Sequence, residues 1–290
     1  MESIYVAVTA HNPLSRIEST LAVLRGYERL PLDVYVEFFI DHEHSYDLDE
    51  FSLIVGSHVH LKRVSFSVAD PSYTGFSLCW AHKPSLVRNV LEKKYDYYMY
   101  TENDMLFSAK QFSYWKDYKD KLKPLNLEPG FCRYEEYKDL DIPFDNYEVW
   151  NLQGPTKEVW GDRPYSCGFM LTPNDPNFLG FTSLGNPYSG FMIMDQEDAY
   201  RYIHSESCHP QLSYNKVGFR NWPIADRSSM GLAFEDLKPR QEHRRVVPVV
   251  RSSDSVEMHS CALVRHLDVK YSPQLYKGED TIDVKSMFRV

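Results

Sequence analysis

The sequence predicts an α/β protein, with a doubly wound, mostly parallel central sheet flanked by helices, in one domain spanning residues 1–290. Three observations predict it. Short β-branched or aromatic runs alternate with stretches of helical apolar spacing through the first part of the chain. A strand–helix–strand order requires parallel pairing through a right-handed crossover. Acidic residues fall at the ends of the predicted strands, where open α/β sheets collect their ligands.

The elements follow in order. Residues 4–9 (IYVAVT) form a short buried strand. Asn12-Pro13 then offers an N-cap and a proline at the first helical position, Leu14, Ile17, Leu21 and Leu24 follow at helical spacing, and Gly26 closes the helix. Residues 33–40 (DVYVEFFI) are the second strand, ending at Asp41, and a third lies near 59–64. Pro84 opens a helix with Leu86, Val87, Val90 and Leu91 on one face, and a strand over 95–100 delivers Glu102-Asn103-Asp104. The chain thus divides into a first half, 1–109, and a second half with a C-terminal tail, 110–290. In the second half, strands are expected near 130–134 and 148–152 and over 189–194 (SGFMIM), after which Asp195 and Asp198 cap a helix through Ala199 and Tyr202. Another helix is expected to begin near Asp226 and run into AFEDLKPRQ, followed by the strand RVVPVV.

Composition limits the function classes. With 43% hydrophobic and 25% charged residues the chain is globular, and its net charge of −9 without a basic run argues against a nucleic-acid partner. No apolar stretch reaches the ~20 residues needed to span a bilayer, so membrane insertion is not expected. The N-terminal MESIYVAVTAHN reads as a first strand and not a signal peptide, and five cysteines without a CxxC pair read as free thiols, which together predict a cytoplasmic protein. His204, Cys208 and His209 lack the second ligand pair of a zinc finger.

The stretch YDYYMYTENDMLF carries the chemistry. In an extended segment, residues two apart project to one side, so Glu102 and Asp104 would face a common site at a strand's carboxyl end. Two carboxylates there can hold Mn²⁺ or Mg²⁺ and leave positions for water and diphosphate oxygens. A solvated turn whose acids cap the next segment is the competing reading.

The order of these segments resembles the nucleotide-sugar glycosyltransferases of the GT-A fold, in a family-2-like series. The loop Thr9-Ala10-His11-Asn12 stands where such enzymes seat the nucleoside, and Asp41 is similar to the acid that contacts the base or ribose. KPSLVRNVLEKKYDYYMYTENDMLF looks like the helix and metal-binding strand of the family; the resemblance implies nucleotide-sugar contacts from Lys83, Arg88 and Asn103 and metal contacts from Glu102 and Asp104. Arg88 serves equally well in a pairing with a nearby acid. SGFMIMDQEDAYRYI resembles the strand and helix lining the acceptor side. In WPIADRSSMGLAFEDLKPRQEHRRVVPV the usual Glu-Asp pair is Ala225-Asp226, retaining the acid that serves as general base in inverting members. Asp195 is the rival base. EMHSCALVRHL is similar to the segment with a late histidine that completes the metal or diphosphate shell; His259 fills that role here, with His266 its competitor. More narrowly, the chain resembles small glycosyltransferases of large algal viruses, such as a xylosyltransferase.

The resemblance implies a metal-dependent transfer of sugar from a nucleotide diphosphate sugar, a UDP-sugar, to a glycan or glycoprotein acceptor. Two other classes fit the residues alone: a glycoside hydrolase built on a carboxylate pair, and a binding module that keeps the fold without the chemistry. Trp150, Trp160, Tyr188 and Trp222 are candidates for sugar stacking.

Overall fold

The computed structural model of the protein describes residues 1–137, 140–143, 170–171, 177–183, 187–216, 222–239, 241, 243–251 and 256–268. Trp150, Trp160 and the strand expected near 148–152 lie outside them. The chain separates into two compact units, Met1–Ala109 with Gly190–Glu235, and Lys110–Ser189 with Asp236–Val290. The expected second half therefore returns residues 190–235 to the first unit. Among the described residues no helix is long and apolar enough to cross a membrane.

The first unit is the mixed α/β sheet that the alternation predicts. Strands β1 (Ser3–Ala10), β2 (Asp33–Ile40), β3 (Arg63–Val68) and β4 (Tyr97–Glu102) are joined by α1 (Ile17–Glu28), α2 (Leu48–His58) and α3 (Lys83–Leu91). A two-residue strand, β5 (Met105–Leu106), follows β4. After the second unit's first segment the chain returns with β11 (Phe191–Asp195), which completes the sheet order β11-β4-β1-β2-β3. All neighbours pair in parallel except β11, which is antiparallel to β4.

Helices cover both faces. Phe51 of α2 packs edge-on against Phe38 at 5.2 Å, and Phe38 stacks on Phe66 at 5.6 Å. Fully burying one such ring is worth about 1.5–3 kcal/mol, and truncating it costs about 3–5 kcal/mol. On the opposite face Tyr5, Ala7, Phe39, Tyr98 and Tyr100 pack with Leu86 and Val90 of α3 and with Ala199 and Tyr202 of the helix Gln196–Ile203.

Five local readings change. Gly26 does not close α1; the helix runs on to Glu28, and a Cβ at Gly26 would lie 2.9 Å from the Phe107 carbonyl oxygen. The glycine serves close packing, not termination. The helix α2 was not anticipated, and β3 begins four residues later than expected. The helix expected from Asp226 through Gln241 is only Ile224–Arg227, followed by turns. Leu91, assigned to the apolar face of α3, is exposed, while Lys83 and Asn89 are buried.

The second unit holds α4 (Ala109–Leu122), whose aromatic side Phe112, Trp115 and Tyr118 is buried. Its strands are β6 (Glu128–Pro129), β7 (Cys132–Tyr137), β8 (Leu140–Pro143), β9 (Met170–Leu171), β10 (Gly180–Thr182), β12 (Arg245–Arg251), β13 (Val256–Met258) and β14 (Leu263–His266). One sheet runs β13-β12-β10-β9, with β6 on β12; in another, β14 pairs with β7 and β7 with β8.

Candidate functional site

Because β1, β2, β3 and β4 are parallel, their carboxyl ends share one edge of the first unit. Thr9 is opposite Glu102 in the ladder, and its hydroxyl lies 3.0 Å from the Tyr100 hydroxyl. Asp41, the first residue beyond β2, is 0% exposed. His11 Nδ1 sits 2.7 Å from Asp41 Oδ2, and the Glu43 N–H donates to Oδ1 at 3.2 Å. The Gly75 N–H approaches Oδ2 at 3.4 Å, from a backbone with φ +56° that suits glycine. Burial would raise the Asp41 pKa, but the Glu43 N–H and His11 outweigh it and hold the carboxyl below its usual range. His11 keeps 58% of its side chain exposed and meets the His44 ring edge-on at 5.1 Å. Thr9, His11 and Asp41 thus converge as their strand-end positions require. Asn12 has local work, since its Oδ1 accepts from the Ser15 N–H at 3.2 Å.

The acidic triplet is arranged differently from the extended reading. The chain turns at Asn103 and Asp104, so the strand rule that would align Glu102 with Asp104 does not apply. Asn103 Nδ2 donates to Thr20 Oγ1 at 3.0 Å, within the interior. Asp104 is 2% exposed, and Arg16 Nη1 donates to its Oδ2 at 2.6 Å. Both side chains tie the turn to the start of α1. Glu102 is half-buried at the sheet edge, where its N–H donates to the Gly190 carbonyl at 3.3 Å.

Two expected phosphate contacts are placed elsewhere. Lys83 Nζ points into the interior, donating to the Tyr202 hydroxyl at 2.6 Å and to the Ser228 carbonyl at 2.8 Å. It lies over the rings of Trp80, Tyr100 and Tyr202 at 5.2, 5.8 and 4.7 Å. Burial pushes its ammonium down to about 7. His82, beside it, stacks on Tyr100 at 4.0 Å; burial and then the Lys83 charge drive its pKa well down. Arg88 is exposed on α3, with Nη2 donating to Ser85 Oγ at 3.3 Å.

The two candidate bases separate by topology. Asp195 pairs with Tyr97, at the amino end of β4, whereas Phe191 pairs with Thr101, so the antiparallel β11 carries Asp195 to the far edge of the sheet from Glu102. There Asp195 Oδ1 accepts from the Asp198 N–H at 2.8 Å as a helix cap. Asp226 is buried in the short helix Ile224–Arg227, which Trp80 Nε1 anchors by donating to the Ile224 carbonyl at 2.8 Å. The Cys79 thiol lies one residue before Trp80, in the segment Gly75–Trp80. Burial first, then the Glu102 charge and more weakly the Asp226 charge, push it up to about 12. Cys79, Tyr100 and His82 were missed in the sequence, where only the alternation of Tyr98 and Tyr100 on β4 signalled an inward aromatic side.

His259 belongs to the second unit. Its Nδ1 accepts from the Cys261 N–H at 3.3 Å and its ring packs against Phe178 at 5.1 Å. Burial, with the Lys110 charge, lowers its pKa. Its competitor His266 is also buried there, with Nδ1 2.9 Å from Glu135 Oε1. Tyr188 faces Arg133, whose guanidinium lies 4.4 Å from the ring centre. Among the described residues no three His, Cys, Asp or Glu side chains converge as a metal-binding group.

No protein-family model matches the sequence, and no curated protein matches it. Among solved structures the chain is similar to a 4-diphosphocytidyl-2C-methyl-D-erythritol synthase from Anaerococcus prevotii. The two are 11% identical with a TM-score of 0.34, over 71% of this chain and 77% of that one. A likeness of that size carries no argument about activity.

Proposed function

We propose that the carboxyl edge of the first unit's sheet binds a nucleotide diphosphate sugar, a UDP-sugar, and that the protein is an inverting glycosyltransferase acting on a glycan hydroxyl. The observation that supports this reading most is the shared edge itself. Thr9, His11, Asp41 and Glu102 come from three adjacent strand ends, and Asp226 lies in the same unit, in the short helix that Trp80 anchors. Asp41, with His11 half-open to solvent beside it, supplies acceptors and a ring for the nucleoside. Asp226 takes the proton of the attacking hydroxyl, because a sugar hydroxyl is a weak nucleophile without a positioned base.

A divalent cation, Mn²⁺ or Mg²⁺, fits this edge only in part. Mg²⁺ keeps several waters and takes one or two carboxylates together with substrate phosphates. Glu102, at the sheet edge, would supply one such carboxylate, while Asp104 would first have to leave Arg16. When bound, such a cation offsets charge on the leaving diphosphate.

The test is UDP release from UDP-sugars with glycan acceptors, in the wild type and in Asp226→Asn. The expected result is transfer slowed by about 10²-fold or more with donor binding unchanged. Wild-type turnover by Asp226→Asn would remove the base assignment. UDP-sugar binding without turnover in the wild type would favour the binding-module reading, which the Asp104–Arg16 pair and the interior Lys83 also suit.

A further inference from the structure

The second unit buries three consecutive basic side chains, His243, Arg244 and Arg245, each less than a tenth exposed. Two of them are anchored. Arg245 Nε donates to Glu128 at 3.2 Å and its Nη1 to the Pro187 carbonyl at 2.6 Å. His243 Nε2 lies 3.2 Å from Ser183 Oγ, and its Nδ1 accepts from the Arg245 N–H at 3.2 Å. Arg244 differs. It is 4% exposed, and its Nε and Nη1 are sealed from solvent without a hydrogen-bond partner among the described residues. Its backbone is held, since the Glu128 N–H donates to the Arg244 carbonyl at 2.9 Å.

An arginine cannot relieve such burial by releasing its proton, because the guanidinium stays protonated in proteins. A buried charge without a partner is therefore a standing cost. The chain has 41 acidic residues against 32 basic ones, so carboxylates are plentiful, yet among the described residues none pairs with Arg244 Nε or Nη1. The planar guanidinium matches two oxygens of one oxyanion, and the anchored neighbours on either side hold it ready for one.

We propose that Arg244 is the anchor of a small-oxyanion site in the second unit, taking a phosphoryl or carboxylate group. The site goes beyond the donor edge of the first unit and stands or falls without it. Its low exposure admits a small group and not a macromolecular surface.

The experiment compares the wild type, Arg244→Met and Arg244→Lys by thermal unfolding and calorimetric titration, with inorganic phosphate and with citrate at matched ionic strength in NaCl. The wild type should show saturable binding and an upward Tm shift with one oxyanion or both and none with chloride. Arg244→Lys should bind more weakly and Arg244→Met not at all. Response to phosphate alone assigns a phosphoryl ligand, and response to citrate alone a carboxylate. Without an oxyanion, Arg244→Met should melt at or up to about 2–4 °C above the wild type, because a buried uncompensated charge is gone. No saturable binding by the wild type, equal binding by Arg244→Met, or a Tm several degrees lower in Arg244→Met without ligand would each overturn the proposal.

Discussion

The interior ammonium of Lys83 makes stability depend on pH in a direction opposite to that of an ion-paired lysine. Burial lowers its pKa from 10.5 to about 7. Between those values the unfolded chain holds a proton that the folded chain has released, so stability rises with pH. The contribution is present above the unfolded value and is lost as pH falls through about 7. At about 1.36 kcal/mol per pH unit, the rise from pH 7 to 9.5 amounts to about 3 kcal/mol. The Tyr202 hydroxyl, the Ser228 carbonyl and three rings oppose this by favouring the cation. An ammonium taken from water without a carboxylate loses several kcal/mol, however, and a neutral hydroxyl and carbonyl return only part of it. Lys83→Met removes the titrating group without a large change in length. Urea unfolding of both proteins at pH 7, 8, 9 and 9.5 should show the wild type gaining about 3 kcal/mol relative to the variant across that range. Comparing the two cancels the cysteines and tyrosines that titrate in the same window. A gain below about 1 kcal/mol would show that the acceptors and rings hold the cation, and would refute the argument from burial.

Three further expectations follow from the same geometry. Asp41→Asn keeps an acceptor for the Glu43 N–H but loses the carboxylate contact with His11, so UDP affinity should fall by about tenfold or more, read by titration, and the acid-unfolding curve should lose the part that Asp41 contributes as pH falls through its lowered pKa. Asp104→Ala should cost the fold only about 1 kcal/mol, because Arg16 keeps 35% of its side chain exposed and can turn to water; undiminished Mn²⁺-dependent UDP binding in that variant would remove Asp104 from the donor site. Gly26→Ala gains up to about 1 kcal/mol in helix propensity but sets a methyl 2.9 Å from the Phe107 carbonyl oxygen and from Leu106 Cδ1. A backbone oxygen cannot step aside, so a net loss of about 1–2 kcal/mol is expected, and a higher denaturation midpoint would contradict it.

Periodicity and end signals, being local, made much of the first unit legible in the sequence. The alternation over residues 1–102 determined a parallel sheet, and a parallel sheet obliges Thr9, His11, Asp41 and Glu102 to meet at one edge. The tertiary structure alone decided the rest. An apolar strand reads the same in either direction, so only the pairing with β4 could place Asp195 at the far edge and leave Asp226 as the base candidate. Glu102 and Asp104 look equivalent along an extended chain, but the turn at Asn103 and Asp104 gives them separate surroundings, one half-buried at the sheet edge and the other buried against Arg16. Lys83 carries a surface residue's charge in the sequence, and its burial depends on Trp80, Tyr100 and Tyr202 closing around it from three elements. A residue's chemistry is written in its side chain, whereas its partners and its dielectric surroundings are set by segments distant in the chain.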